Sequence, residues 1–184
     1  MRGRLWLAGL LAGLAAFAWG AVSHMAFGLG SVGLQPLPNE AAVLGTMSQN
    51  VKGPGLYAFP AMGEKDPAKM NEAYATQPRG LLVMTPPSGQ PVPWGPLLGL
   101  QALIDIVGGL IAAFVLATAA PRLRGYLGRV WFVAILGAFA AITIVGPYWI
   151  WYGFPMNFLL ASLVDNLLAW AVGGLVLAGM IRPE

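Results

Sequence analysis

The chain has 184 residues, of which 58% are hydrophobic and only 9% charged, with a formal net charge of +3 and no cysteine. A soluble domain of ordinary composition carries roughly 25% charged residues, so the composition points to an integral membrane protein. The lack of cysteine excludes disulfides, cysteine-ligated metals and thiol chemistry. The basic residues form no single extended patch, so no nucleic-acid partner is expected.

The first apolar stretch runs over residues 5 to 29. Arg2 and Arg4 precede it and Ala18-Trp19-Gly20 is a small-x-small sequence, the pattern of a cleavable secretory signal. The apolar run continues well past that point, so residues 1–29 are expected to be retained as a first transmembrane helix.

Residues 30–95 are too long for a simple connection and contain ten prolines between Pro36 and Pro93. "PNEAAVLGTMSQN" predicts a short helix, with Asn39 as a cap and Glu40 in its first turn. "DPAKMNEAYATQ" predicts another, with Asp66 capping and Pro67 at the first helical position. Each is followed by a strand-like run opened by glycine and closed by proline, "GLYAFP" at 55–60 and "GLLVMTP" at 80–86, and the two strands are expected to pair. A segment this small buries little core alone, so it is expected to rest on the ends of the membrane helices as a cap.

Residues 96–184 hold three more apolar stretches, about 96–119, 130–151 and 154–181. Each reaches or exceeds the ~20 residues needed to cross a bilayer. The expected fold is an all-α membrane protein, a four-transmembrane-helix bundle with a small α+β extracytoplasmic cap inserted between helices 1 and 2. Arg2, Arg4, Arg122, Arg124, Arg129 and Arg182 flank the helix ends on one side, which assigns that side and both termini to the cytoplasm. In residues 30–95, Lys52, Lys65, Lys69 and Arg79 are cancelled by Glu40, Glu64, Asp66 and Glu72, as expected of an outer segment. Trp94, Tyr148, Trp149, Trp151, Tyr152 and Phe154 fall at the outer interface and Trp6 and Trp131 at the inner one, the positions of an aromatic belt; "YWIWYGFP" also has the composition of a ligand groove.

Ionisable groups inside the apolar stretches are few. Asp105 lies in "QALIDIVGGLIAAFVLA", Asp165 in "SLVDNLLAWAVGGLVLA", and the only histidine, His24, near the outer end of helix 1. An ionised Asp at the bilayer centre costs about 2.5 to 3.5 kcal/mol, so such residues nearly always face protein. Each of the three falls on a series of mostly small residues at four-residue spacing, the mark of a helix-facing surface. The series are Ala8, Ala12, Ala16, Gly20, His24 and Gly28 in helix 1, Gln101, Asp105, Gly109, Ala113 and Ala117 in helix 2, and Ala161, Asp165, Ala169 and Gly173 in helix 4. Asp105 lies roughly 13 Å below the outer boundary and Asp165 roughly 12 to 15 Å below it, so the carboxyls are level and would meet if helices 2 and 4 adjoin.

Three functional readings follow. Asp105, Asp165, Asn166, Gln101 and His24 are hydrogen-bonding residues between helices in a non-catalytic accessory or assembly subunit of a larger membrane complex; or they bind a proton, cation, lipid head or cofactor in the outer half of the bundle; or the paired carboxylates and His24 act on a lipid-borne substrate. No Gly-x-Ser-x-Gly, His-x-x-x-His or phosphate-binding loop supports the last, so an enzyme is not favoured. No catalytic residue and no metal site is assigned. No cofactor is expected, although a lone His24 has the chemistry to hold one haem or pigment axially. The expected partners are the lipid bilayer and either a membrane protein or further copies of the chain.

The runs "LPNE" at 37–40, "GLYAFP" at 55–60 and "WYGFP" at 151–155, in a chain with a long outer loop after its first helix, resemble a group of uncharacterised bacterial four-helix integral membrane proteins. The resemblance implies a bacterial inner membrane and no particular activity.

Overall fold

A computed structural model describes residues 2–60, 63 and 65–182; Glu64, counted above among the acids of the outer segment, lies outside them. The chain is mostly helical, and four of its helices, α1 (Arg2–Met25), α4 (Trp94–Ala119), α5 (Gly125–Tyr152) and α6 (Met156–Met180), are long and apolar enough to cross a membrane. Between α1 and α4 come α2 (Glu40–Asn50), β1 (Gly55–Phe59), α3 (Pro67–Thr76) and β2 (Gly80–Met84). The end of the long helices from which this segment projects is called the outer end.

Helix limits differ from the apolar stretches where backbone chemistry overrides hydropathy. α1 stops at Met25, and Gly28, with φ of 65°, leads into a 3-10 turn at Leu29–Ser31. α5 begins at Gly125, not near Val130. Arg129 is therefore inside the helix, only 7% exposed, and donates from Nη2 to the carbonyl of Ala178 at 3.1 Å. A cation at the last turn of α6 meets the negative end of that helix, which accounts for its placement there. Gly153, with φ of 74°, ends α5 before the short link to α6.

The long helices pack in the order α4, α1, α6, α5, with close seams between successive members, whereas α4 and α5 touch only sparingly. The α1–α4 seam is a glycine crossing. A Cβ on Gly13 would overlap the backbone of Asp105 and Ile106, and one on Gly109 would overlap the backbone of Gly9 and Gly13. Backbones that close are possible only without side chains, the geometry of a Gly-x-x-x-Gly contact. Gly173 of α6 lies against Ala12, while Gly174 lies against Val130 and Val133 of α5. The fully buried residues Ala8, Ala12, Ala113, Leu116, Val133 and Leu177 gather toward the inner half. Trp170 of α6 fills the space above them: Cβ atoms added at Gly108 of α4 and Gly137 of α5 would come within 2.7 and 2.6 Å of its indole.

In the outer segment, β1 and β2 pair antiparallel, with Tyr57 opposite Leu82. Asp66 caps α3 by accepting from the Ala68 N–H at 2.9 Å, with Pro67 beginning the helix. Asn39 does not cap α2: it adopts φ of 50° and makes no side-chain bond to the helix end. A cap side chain must come from an extended residue, and a left-handed backbone points it elsewhere. Neither α2 nor α3 buries a residue. Among the described residues, the helices and strands between α1 and α4 that pack appreciably on the long helices reduce to the 3-10 turn, which contacts α1 and α6.

Candidate functional site

Asp165 is the centre of the best-formed polar cluster. Its Oδ1 accepts from the indole Nε1 of Trp19 at 2.8 Å, and its Oδ2 is hydrogen-bonded to Nε2 of His24 at 3.1 Å. Trp19 and His24 stand five residues apart on α1, so a single carboxylate ties the outer part of α1 to α6. The Asp165 side chain is 18% exposed and that of His24 is 57% exposed, so the pair opens to its surroundings through the imidazole. A carboxylate holding two donors across a helix seam is satisfied without water, as an intramembrane acid requires.

The turn after α1 seats the imidazole. Gly30 lies over the ring so closely that an added Cβ would be 2.7 Å from Nδ1, and Gly33, with φ of 87°, packs against Pro155, Asn157 and Phe158 at the start of α6. The "GLGSVG" run is thus a strap from α1 to α6 across His24. Gly30→Ala is expected to push the ring off Asp165 and to lower stability by about 1 to 2 kcal/mol, from crowding and one lost hydrogen bond. Imidazole NMR signals compared between wild type and variant provide the check, and unchanged signals would show that the strap does not position the ring.

Asp105 stands apart from this cluster. Its Oδ2 accepts from Nε2 of Gln101, one turn earlier on the same helix, at 3.1 Å, and among the described residues no bond from another helix reaches it. The two aspartates therefore belong to separate clusters, consistent with the sparse contact between α4 and α6. Gln101 is exposed and Asp105 half-buried; above Gly109, α4 buries no residue at all. Asn166 donates to the Ser162 carbonyl at 2.9 Å within α6, and its own carbonyl sits where a Cβ on Gly137 would collide. It belongs to the α5–α6 seam and not to either aspartate.

In the "YWIWYGFP" stretch, Tyr148 packs at a tilt on Tyr152 and Phe154, and Phe154 meets Phe158 edge-on, at centroid distances of 5.9, 5.2 and 5.4 Å. Trp151 points outward at 75% exposure, as do Trp94 at 68% and Trp6 at 64%.

Chemically, the His24–Asp165–Trp19 cluster can hold a proton or a polar group at the outer end of α1. An axial bond from His24 to a haem or pigment would have to replace either the Asp165 contact at Nε2 or the Gly30 contact at Nδ1. Among the described residues, no three His, Asp or Glu side chains gather in a way that could hold a metal ion. Sequence reasoning missed two features. Trp19 carries no signal as an Asp partner because interfacial tryptophans are common, whereas Gly9 and Gly13 form a legible Gly-x-x-x-Gly that the Ala8 series obscured. No family model matches the chain, and no significant match is found among curated proteins or solved structures.

Proposed function

We propose that this chain is a non-catalytic accessory or assembly subunit of a larger complex in a bacterial inner membrane, with both termini cytoplasmic and residues 30–95 forming an extracytoplasmic cap. The observation that carries this reading is the Gln101–Asp105 pair. A carboxylate bonded only within its own helix, on a half-helix with no buried residue, is costly next to lipid and is relieved when another protein segment covers it. The sparsely packed α4–α5 side is the place for that segment. Purification in mild detergent followed by native mass determination is expected to give a complex heavier than one chain, and Asp105→Leu is expected to return the chain alone. A wild-type monomer without any companion would overturn the proposal.

A second reading is favoured by the exposure of His24 beside a largely buried Asp165. That site would bind or relay a proton or cation. Asp165→Asn would then remove ligand or proton dependence while leaving the helices assembled, and simple loss of packing would count against it.

A further inference from the structure

We propose that the α4–α5 side receives a membrane-spanning helix of a different chain, one that carries a lysine or arginine level with Asp105. This rests on the accessory reading and names the chemistry of the partner.

Gln101, Asp105 and Gly108 lie on one face of α4, four and three residues apart. At its lower end this face is closed, because Gly108 meets the Trp170 indole. From Asp105 outward nothing on α4 is buried. The polar pair therefore stands just above the tryptophan, at the edge of an incompletely packed region of the protein.

Its hydrogen-bonding capacity is unbalanced. One Gln101 N–H is given to Asp105 Oδ2. Asp105 Oδ1, the remaining lone pair of Oδ2 and the Gln101 carbonyl oxygen are acceptors, against a single remaining Gln101 N–H. An excess of acceptors around a carboxylate in a low-dielectric setting calls for a cationic donor.

The chain cannot supply one. Its basic residues are Arg2, Arg4, Arg122, Arg124, Arg129 and Arg182 at the inner ends of the helices, and Lys52, Lys65, Lys69 and Arg79 in the outer segment. Asp105 lies roughly 13 Å along α4 from Pro96, away from both groups. His24 is engaged with Asp165. A second copy in the same orientation would bring another Asp105 and Gln101 to this depth, with the same excess of acceptors and no cationic donor. The occupant with matching chemistry is a foreign helix with a cation.

The test uses the full chain in lipid nanodiscs and two synthetic membrane-spanning Leu/Ala helices, identical except for Lys or Leu at the central position. Energy transfer between labelled protein and labelled peptide reads association. The Lys peptide is expected to bind at least about tenfold more tightly than the Leu peptide, the scale of one strong intramembrane polar contact. Asp105→Asn is expected to reduce that preference, and Asp105→Lys to transfer it to a peptide bearing Asp. Equal binding of the two peptides, or a preference untouched by both variants, would overturn the cationic partner. Wild-type self-association that depends on Asp105 and ignores the Lys peptide would replace it with a second copy. If the Lys preference fails while native mass still shows an Asp105-dependent complex, the accessory reading stands without this partner; a companionless monomer removes both.

Discussion

Gly13→Leu is expected to be the most damaging single substitution in the long helices, lowering stability by about 3 kcal/mol, the upper part of the range for overpacking. The cause is the α1–α4 crossing, where a Cβ at position 13 already overlaps the backbone of Asp105 and Ile106. A backbone cannot rotate aside as a side-chain tip can, so α1 and α4 must separate and lose the close contact along the seam. Gly20→Leu is the control, since a Cβ there meets nothing within 4 Å. Unfolding in mixed micelles of rising sodium dodecyl sulfate, followed by circular dichroism, measures both. Equal midpoints for the two variants would mean that the crossing does not hold α1 to α4.

Asp165→Leu is expected to cost about 2 to 3 kcal/mol, because it leaves the Trp19 and His24 donors without their acceptor. Asp165→Asn keeps one amide oxygen for Trp19 and is expected to cost about 1 kcal/mol. The Trp19 indole N–H resonance is the local reporter: it should shift strongly in the leucine variant and little in the asparagine variant. Asp105→Leu provides the contrast in the isolated chain. With Gln101 its one side-chain partner among the described residues, its loss is expected to be neutral or slightly stabilising, while the complex is lost. A large loss of stability from Asp105→Leu in the isolated chain would place Asp105 in the helix packing and not at a docking face.

The two aspartates thus have different surroundings, and what separates them is the neighbouring helix. Asp165 is set against α1, where Trp19 and His24 meet it; Asp105 lies about one turn above Gly108, which meets Trp170, and pairs with Gln101 on its own helix. The level placement expected from the sequence does not by itself bring them together, because level residues meet only when their faces turn to each other.

The four long helices, the two short helices and the pairing of the two strands are all legible in the sequence, whereas the antiparallel sense of that pair comes from the structure. Apolar length, Asp66-Pro67 at a helix start and the glycine-to-proline bounds of β1 and β2 are local signals, and local backbone chemistry decides such elements. The polar residues of interest were legible too, because an ionisable group in an apolar run is conspicuous. Their partners were not. A four-residue series of small side chains selects a face of a helix but not the helix it meets, so Ala8, Ala12 and Ala16 are buried while Gly20, on the same series, meets nothing. Only the tertiary packing order, α4 to α1 to α6 to α5, turns Trp19 and His24 toward Asp165 and leaves Asp105, among the described residues, with Gln101 of its own helix. That order depends on which surfaces allow backbones to approach, a property of pairs of helices that no single segment contains.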